Sequence, residues 1–585
     1  MIKSNNIASF AVDLIVETGS STVFTLTGGM AMHINRAVAK HKTLKAVYCH
    51  HEQACVAAAE GFCKTKNFQN AGFAVVTAGP GVSNTLTSLI SAYGDSTPVI
   101  VLAGQIKTQD IDTQGLRMHG IQEVKSKKII SPVVKKFSRL TASNYKKEVM
   151  ETIIAAYSGR PGPVFIEIPL DIQAVKLSYN DSDIKNLAKL IKNKLNKDEI
   201  YDNYLFKQAI QKITSAKKPL LYIGNGCRIA GMHEEIIRFA KHNNIPCVFS
   251  WLSFDNLSAS DNLNMGCPGG LAPIYSNQIL SRADVILFLG TRLDLGTTAF
   301  QIENFGDQAE RYVIDIDRSE LDKFSNKLKL IKIHADLKGF RKNAKYKKTD
   351  KNKNRSWVME CCNLRAIYFK EESKRLNSTK LSVYKVASLF SSLSKNKVFV
   401  PASSGYAEET FTRFFRPQTN TRFFNGAALG SMGLGLPHAI GASCATNKQV
   451  ICLEADGGIM LNIQELATLI TLRPKNLIIV VLNNNGYESI RSSQNRHFGE
   501  IYGVDGESGL GFPNFKNISK AFNLKYLQIK TLADFPKLRR ILSKIKSMTL
   551  IDIVIPKYEN RGPTVKTVFD ALGRPSTTSL KELNW

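Results

Sequence analysis

The segment Cys452–Tyr487 constrains the fold of this chain more than any other, because both of its strands end in polar residues. An apolar strand ends at Asp456, a glycine-bearing turn and a helix follow, and a second apolar strand ends in a run of asparagines. Asn484 comes 28 residues after Asp456, a length that fits one strand–helix–strand crossover. Such a crossover brings both strand ends to the same edge of a parallel sheet, where α/β proteins bind ligands. We therefore expect the two polar side chains to lie together.

The side chains at these two strand ends are suited to a divalent cation. The oxygens of Asp456 and Asn484 are hard ligands, which fit a magnesium ion that also takes phosphate oxygens. Gly457 and Gly458 let the backbone approach an anion closely, and the first N–H groups of a helix lack intrahelical partners. An Asp-Gly-Gly turn by itself is more typical of an ordinary strand–helix–strand unit. The asparagines at this spacing favour a magnesium-bound diphosphate instead.

Strand and helix patterns alternate through three parts of the 585-residue chain, a length that predicts three or four domains. Such alternation predicts parallel sheets with helices on both faces. The expected fold is α/β, with three doubly wound parallel-sheet domains over residues 1–178, 195–345 and 375–585. Strands are expected at Thr22–Thr27, Lys45–Cys49, Phe73–Thr77, Pro98–Gly104, Pro219–Ile223, Cys247–Trp251, Asp284–Leu289, Arg311–Asp315 and Val398–Pro401. Helices are expected at Ile7–Thr18, Met30–Lys40, Glu52–Lys64 and Met232–His242.

The composition limits the cellular setting. No stretch of about 18 apolar residues is present, so no transmembrane helix and no membrane partner are expected. The N-terminal apolar residues recur at helical spacing instead of forming a signal peptide. The ten cysteines include no Cys-x-x-Cys pair, which predicts reduced thiols without a metal or disulfide framework. These features predict a cytoplasmic protein.

The net charge of +29 would fit a nucleic-acid surface, because phosphate neutralisation needs clustered lysine and arginine. The clusters fall in the predicted connectors Lys185–Lys197 and Arg341–Arg355, where lysine and asparagine interleave and the single aromatic residue is Tyr346. Solvated linkers are therefore favoured, and no nucleic-acid partner is expected. The basic balance would still attract an anionic substrate such as a nucleotide diphosphate.

Glu52 opens a predicted helix, where the helix dipole alone would favour an acidic residue. Several motifs around it nevertheless resemble the acetolactate-synthase group of thiamine-diphosphate enzymes. In chain order they are HEQA (51–54), AEGF (59–62), TAGPGVSN (77–84), the Gln122-Glu123 pair and GPVFIEIPLDIQ (162–173). The ADGG turn at 455–458 and the later asparagines resemble the same family's Gly-Asp-Gly and Asn-Asn signature, with Ala455 in place of the first glycine.

This resemblance implies thiamine diphosphate and Mg²⁺ as cofactors. It makes Asp456, Asn484 and the Gly486 carbonyl the metal ligands, and Glu52 the partner of the aminopyrimidine ring. A carboxyl group in a poorly solvated pocket can share a proton with that ring, so no side-chain base is needed at the thiazolium C2 atom. Met432 would support the bent cofactor, although a methionine between glycines is also ordinary core filler. Further cofactor-binding residues implied are Gly28, Gly430, Gly457 and Gly458.

Other residues near Glu52 are expected to meet the substrate. His50 and His51 are neighbours at a strand end, so one of the two, taken as His51, should face the site. Gln53 and Gln122 are further residues at the same mouth. Lys135 is either a cation at the site entrance, as the resemblance implies, or an exposed lysine.

The middle domain resembles the flavin-carrying domain of the same group. Its Gly-Asn-Gly turn after the first strand is by itself a weak dinucleotide signal. The resemblance leaves two alternatives, a bound FAD with a structural role or a domain that keeps the fold without the flavin. The residues that would contact FAD are Gly224, Gly226, Arg292 and Asp315.

The resemblance also implies the reaction. A 2-oxo acid, expected to be pyruvate, is decarboxylated and its acyl unit joins an acceptor carbonyl. Acetolactate synthases usually carry Gln-Trp-Gln beyond the metal asparagines, whereas this chain has Arg491–Gln494, with Ser493 replacing a large side chain. Carboligases that extend nucleotide-bound keto-sugars, as in the yersiniose pathway, resemble this chain in TGGMAMHIN (27–35), CHHEQACVAAAEG (49–61), GLRMHGIQEV (115–124), GCPGG (266–270) and LNNNGYESIRSSQ (482–494).

Four alternatives for the activity remain. They are a carboligase with a large ketone acceptor, an acetolactate synthase catalytic subunit, a decarboxylase or lyase, and a non-catalytic scaffold. The family pattern places Glu52 and the diphosphate site on different chains, which implies a homodimer or homotetramer.

Overall fold

The computed structural model describes residues 5–195, 202–344, 353–544, 548–580 and 583. The N-terminal unit is a parallel sheet with strand order β3-β2-β4-β5-β7-β6, and a short antiparallel pair, β1 and β8, joins its ends. The strands are β1 Asn5–Asn6, β2 Thr22–Thr25, β3 Lys45–Tyr48, β4 Gly72–Val76, β5 Val99–Gln105, β6 Phe137–Arg139, β7 Val164–Pro169 and β8 Lys176–Leu177. The helices are α1 Ile7–Glu17, α2 Met32–Lys40, α3 Glu52–Thr65, α4 Pro80–Ser83, α5 Leu86–Gly94, α6 Ser126–Ile130, α7 Tyr145–Tyr157, α8 Leu170–Gln173 and α9 Asp181–Leu195.

The central unit is a second parallel sheet, with strand order β10-β9-β11-β12-β13. Its strands are β9 Pro219–Ile223, β10 Cys247–Phe249, β11 Val285–Leu289, β12 Glu310–Asp315 and β13 Leu330–His334. Its helices are α10 Asn203–Ser215, α11 Gly226–Ile229, α12 His233–Asn243, α13 Ile274–Arg282, α14 Arg318–Asp322, α15 Phe340–Asn343 and α16 Arg355–Leu376. Strands β9, β10 and β11 are apolar and fully buried because helices cover both faces of a parallel sheet, whereas the edge strand β13 is mostly half-buried.

The C-terminal unit is a third parallel sheet, ordered β15-β14-β16-β17-β19-β18, and β20 pairs with β21 in a hairpin. Its strands are β14 Val398–Pro401, β15 Arg422–Phe423, β16 Val450–Ala455, β17 Leu477–Asn483, β18 Lys525–Ile529, β19 Thr549–Val554, β20 Thr567–Phe569 and β21 Pro575–Thr577. Its helices are α17 Val383–Ser392, α18 Tyr406–Phe414, α19 Gly435–Ala445, α20 Asp456–Ile459, α21 Glu465–Leu472, α22 Glu488–Phe498, α23 Phe515–Ala521 and α24 Phe535–Lys544.

The three parallel sheets flanked by helices confirm the predicted α/β fold class. The strands and helices named from the sequence are present, with each end within two residues of its predicted position. The first and third sheets share one strand order, although the sequence shows no repeat by residue identity. Equivalent strand ends therefore occupy equivalent places in the two units.

The connector prediction is wrong for Lys185–Leu195. This stretch belongs to α9, whose Ile184, Leu187 and Ile191 are buried against the N-terminal unit. Their i, i+3, i+7 spacing forms one apolar helix face, and the lysines occupy the other face. Residues 196 and 197 lie outside the described residues, as do 345–352 of the second predicted connector. Arg341 belongs to α15, and Arg355 begins the long helix α16.

Helices α3 and α19 join the N-terminal and C-terminal units. A Cβ atom on Gly441 would lie 1.8 Å from the Ala58 carbonyl oxygen, and one on Gly61 would lie 2.2 Å from that of His438. The two glycines therefore let the helix backbones touch. The helices run antiparallel, because the N-terminal half of α3 approaches the C-terminal half of α19.

The ten cysteines are all free thiols, as predicted, and most of them are buried. Across the described parts of the chain, none of the helices is both long and apolar enough to cross a bilayer.

Candidate functional site

Asp456 lies directly after β16, next to the end of β17, as the crossover length predicts. Its carboxylate accepts three backbone N–H groups, from Gly457 at 2.8 Å, Asn484 at 3.1 Å and Gly486 at 3.0 Å. The side chain is buried, and burial raises the pKa of Asp456 to about 6 despite these donors. The carboxylate thus fixes the turn after β17 beside the end of β16.

The residues around Asp456 fit a magnesium ion that is bound both by protein oxygens and by the oxygens of a diphosphate. Asn484 is buried, and its Oδ1 atom has no hydrogen-bond partner among the described residues. A buried amide oxygen without a partner is costly unless a ligand satisfies it. No group of three His, Cys, Asp or Glu side chains suited to a metal occurs in the described parts of the chain. A cation here would need further oxygen ligands, which suits magnesium with phosphate.

Gly486 adopts φ +155°, and the Arg491 side chain packs directly against it. A Cβ atom at Gly486 would lie 1.9 Å from Arg491 Nη2 and 2.5 Å from the Val504 carbonyl oxygen. Arg491 is fully buried and donates to Glu488 at 2.6 Å and to the Asn485 carbonyl at 2.8 Å. The turn Asn484–Gly486 is therefore supported by a buried ion pair.

The loop before α19 packs against the segment that follows Asp456, at the same edge of the C-terminal sheet. Asn462 donates to the Gly433 carbonyl at 2.8 Å, and a Cβ atom on Gly458 would lie 2.6 Å from Glu454 Oε2. Burial raises the pKa of Glu454 to about 7. Gly430 has φ +65°, which favours glycine, and Met432 is half-buried two residues later. We call Gly430, Met432, Asp456, Gly457, Gly458, Asn484 and Gly486 the Asp456 cluster.

Ser493 lies in the second turn of α22, the helix that follows the asparagine turn, and it is exposed. The neighbouring Ser492 donates to Glu488 Oε1 at 2.9 Å. Arg491 points into the protein, so the exposed side of this turn carries a small hydroxyl group. Ser493 therefore presents its hydroxyl group to solvent, whereas Arg491, two residues earlier on α22, packs against the asparagine turn.

Glu52 is the first residue of α3 and follows strand β3. The side chain is buried, with 7% exposure, and Oε2 accepts a hydrogen bond from Asn84 Nδ2 at 3.0 Å. His51 is the N-cap of α3, since its Nδ1 accepts the Gln53 N–H at 3.2 Å. His51 Nδ1 is therefore the acceptor and carries no proton in this arrangement. Gln53 is half-buried beside it.

Gly28 and Gln122, which are also predicted near Glu52, pack against the loop after β4. A Cβ atom on Gly28 would lie 2.4 Å from Thr77 Cβ, and one on Gly81 would lie 3.6 Å from Glu52 Oε1. Gly79 has φ +64° and packs under Gln122, which is exposed. We call Gly28, His51, Glu52, Gln53 and Gln122 the Glu52 cluster. It lies at the carboxyl edge of the N-terminal sheet, as the Asp456 cluster does in the C-terminal sheet.

Lys135 is not brought to the Glu52 cluster. It precedes β6 and therefore lies at the amino edge of the sheet, where its ammonium group donates to the Ser158 carbonyl. Burial lowers the pKa of Lys135 to about 8, with a further decrease from Arg160 and an opposing effect of Asp317. The side chain is half-buried at this edge of the sheet.

Within one chain, Glu52 and the loop leading to Gly430 approach different ends of α5. Asn84, bound to Glu52, precedes α5, whereas Asp95 follows it and accepts the Ala428 N–H at 3.0 Å. This nine-residue helix is about 13 Å long at 1.5 Å per residue. Glu52 therefore lies at the carboxyl edge of the N-terminal sheet, and the loop leading to Gly430 meets the amino edge.

A cavity of about 1000 Å³ lies between the three units. Loops after all five strands of the central sheet line it, facing α5 and the loop 427–428. Gly226, Arg292 and Asp315 line this cavity, whereas Gly224 packs against the Gly290 backbone. Burial raises the pKa of Asp315 to about 6. The cavity lies at the carboxyl edge of a parallel sheet, where nucleotides bind in doubly wound folds.

Some supporting residues could not be found from the sequence. Asn84, Arg491 and Asn462 act through contacts that depend on the folded chain; the motifs that contain Asn84 and Arg491 do not indicate these contacts, and Asn462 lies in none. Glu454 precedes Asp456 by two residues and could have been noticed as an acid within an apolar strand.

Three family models match the three units. Residues 5–129 match "Thiamine pyrophosphate enzyme, N-terminal TPP binding domain". Residues 206–342 match the central domain of the same enzymes, and residues 403–553 match their C-terminal TPP binding domain.

Curated relatives align with most of the chain. "Acetolactate synthase 1, chloroplastic" of Zea mays is 27% identical over 578 residues, covering 95% of this chain and 86% of its own. "Acetolactate synthase, chloroplastic" of Arabidopsis thaliana is 26% identical over 578 residues, with 95% and 82% covered. "Probable acetolactate synthase large subunit" of Methanococcus aeolicus is 27% identical over 523 residues, with 87% and 85% covered.

Proposed function

Because this chain belongs to the thiamine-pyrophosphate-dependent enzymes of the acetolactate-synthase-like family, we propose that it decarboxylates pyruvate and joins the acyl unit to a large acceptor ketone. The observation that carries the proposal is the buried Asp456 carboxylate beside the unpaired Asn484 Oδ1. Thiamine pyrophosphate, when bound, supplies the electron sink for the carbanion left by carbon dioxide. The acceptor class is a keto-sugar nucleotide.

The chain's own residues divide the work between the two clusters. Asp456, Asn484 and the Gly486 carbonyl would hold Mg²⁺, and the Gly457–Gly458 backbone would face the diphosphate. Glu52 would share a proton with the aminopyrimidine ring, because its buried carboxyl group is held by Asn84 close to the loop of Gly81. Gly28 and Gly430 would allow close approach of the ring, and Met432 would support it.

The arrangement supports a site shared between two chains. Glu52 and Gly430 lie at opposite edges of the N-terminal sheet in one chain, so one cofactor ring would not reach both. A second copy, related by a two-fold axis, would bring its Glu52 to the first chain's Asp456 cluster. A homodimer is therefore the smallest complete unit proposed, and a homotetramer would contain two such pairs.

The acceptor proposal depends on the face of α22. Ser493 is small and exposed there, and Arg491 points inward to support the asparagine turn. Space beside the cofactor would then admit a bulky ketone, with His51, Gln53 and Gln122 at the opposite wall. Acetolactate synthase is the second candidate, favoured by the names of the relatives.

Product analysis separates these two candidates. Purified protein with thiamine pyrophosphate and Mg²⁺ is given pyruvate alone, or pyruvate with a keto-sugar nucleotide. We expect slow acetolactate formation from pyruvate alone and fast formation of a branched sugar nucleotide. Acetolactate formed at a similar rate in both reactions would contradict the keto-sugar proposal. Release of acetaldehyde as the main product would instead support a decarboxylase.

The central cavity fits FAD as a resident cofactor. Its volume of about 1000 Å³ and its glycine-rich strand ends suit a dinucleotide. Arg292 lines the cavity and would therefore face the ligand. It also joins two units, because it donates to the Gly94 carbonyl at 2.9 Å. Gly226 and Asp315 would line the nucleotide end. The visible absorbance of the purified protein, before and after denaturation, distinguishes bound FAD from a domain that binds none.

A further inference from the structure

The loop 425–432, which leads to Gly430 and Met432, contacts both the C-terminal and N-terminal units. Within its own unit, Gly426 donates to Ser403 Oγ at 2.9 Å and Asn425 Nδ2 donates to the Ala402 carbonyl at 3.2 Å. From the N-terminal unit, Lys64 donates to the Asn425 carbonyl at 2.6 Å. Asp95 Oδ1 accepts the Ala428 N–H at 3.0 Å. The loop is thus bound at two points by side chains of another unit.

These two N-terminal side chains form one buried ionic group with Glu60. Lys64 Nζ lies 2.6 Å from Asp95 Oδ2 and 2.7 Å from Glu60 Oε1. The three side chains are at most 2% exposed, so each charge depends on the others for compensation. Burial would lower the pKa of Lys64, but Asp95 and Glu60 outweigh it and raise that pKa. Lys64 therefore stays charged, and the contacts with the loop are charge-assisted.

His438 extends this group beneath the loop. Its Nε2 atom lies 3.0 Å from Glu60 Oε2, and a Cβ atom on Gly426 would lie 3.3 Å from its Cε1 atom. Burial raises the pKa of Glu60, but Lys64 and His438 together lower it to about 2. Because His438 pairs with Glu60 Oε2, the other oxygen, Oε1, stays directed toward Lys64.

We infer that Lys64 and Asp95 are positioning residues for the cofactor, because their ion pair fixes the loop 425–432 against the N-terminal unit. This inference rests on the proposed function, since it assigns the Gly430 carbonyl and Met432 to the cofactor ring. Ala428, held by Asp95, precedes Gly430 by two residues, and Asn425, held by Lys64, begins the loop. Loss of the pair would let the loop move without removing any group that touches the cofactor.

Asp95→Asn tests the inference, because asparagine keeps an acceptor for the Ala428 N–H but removes the charge that compensates Lys64. We expect the KM and the dissociation constant for thiamine pyrophosphate to rise roughly 10- to 100-fold, as for residues that orient ligand-binding groups. At saturating cofactor, kcat should stay within a few-fold of wild type. Hydrogen exchange of peptides covering 425–432 should accelerate in the cofactor-free protein.

Glu372→Gln is the matched control. Glu372 is also buried and paired, with Arg416 Nη2 at 3.3 Å, but neither residue contacts the loop. This variant should lose thermal stability and keep the wild-type KM for the cofactor. Lys64→Gln should reproduce the effect of Asp95→Asn, and the double variant should be no worse than either, since both changes break one ion pair.

Unchanged exchange of 425–432 and an unchanged cofactor KM in both single variants would overturn the inference. A similar rise of KM in Glu372→Gln would also overturn it, because general destabilisation would then explain the effect. Failure of the proposed function looks different. In that case wild-type protein would not bind thiamine pyrophosphate, whereas exchange of the loop would still respond to Asp95→Asn.

Discussion

Asp456→Asn should lose magnesium-dependent binding of thiamine pyrophosphate, with affinity reduced at least about 100-fold, the upper range for partners of metal ligands. The carboxylate is the single charged protein ligand proposed for the cation, and asparagine removes that charge. The new amide would also oppose the N–H groups of Gly457, Asn484 or Gly486, which all donate to Asp456. Calorimetric titration with and without Mg²⁺ measures the loss.

Asp552→Asn is the matched control for this change. Asp552 is a buried carboxylate in the same sheet and accepts hydrogen bonds from Asn483, Tyr526 and Gln528. The control should lower the temperature of unfolding but keep magnesium-dependent binding. Equal cofactor affinity in Asp456→Asn and wild type would contradict the proposed metal site.

Glu52→Gln should reduce kcat roughly 100- to 10,000-fold, the range found when a positioned acid or base is removed. Glutamine keeps the size of the side chain and still fits beside Asn84, but it cannot share a proton with the cofactor ring. Binding of thiamine pyrophosphate should change little, because the Asp456 cluster is intact. Turnover at saturating cofactor and exchange of its C2 proton in heavy water are the measurements.

Asn84→Asp separates the role of Glu52 from its environment. A carboxylate at this position would face Glu52 and disfavour its charged form. The pH dependence of kcat should then shift upward while some activity remains. Wild-type turnover in Glu52→Gln would contradict the assignment of the proton-sharing group.

The sequence predicted those parts of the site that depend on one strand–helix–strand unit. The crossover length and the strand ends are both local in the chain and predict that Asp456 and Asn484 meet, and the Asn484 N–H does donate to Asp456. The fold class was predictable for the same reason, since each strand and helix has its own periodicity. The connector prediction fails at α9 because its many lysines obscure a regular apolar face.

Contacts between distant segments were not predictable in this way. The strand that follows Lys135 places it at the sheet edge opposite Glu52 of the same chain, which its position in a motif does not indicate. Asn84 lies 32 residues from Glu52, and Lys64 lies 361 residues from Asn425, so no local pattern relates them. The cavity between the three units likewise depends on how the units pack.

We propose that each active site combines Glu52 of one chain with Asp456 of another. The test is to co-express the two inactive variants, Glu52→Gln and Asp456→Asn, as differently tagged chains and to isolate the mixed dimers. Random pairing of equal amounts makes roughly half of the dimers mixed, each with one intact site of two, so about a quarter of wild-type activity is predicted before isolation. Isolated mixed dimers that bind the cofactor but remain as inactive as the parent variants would contradict the shared site.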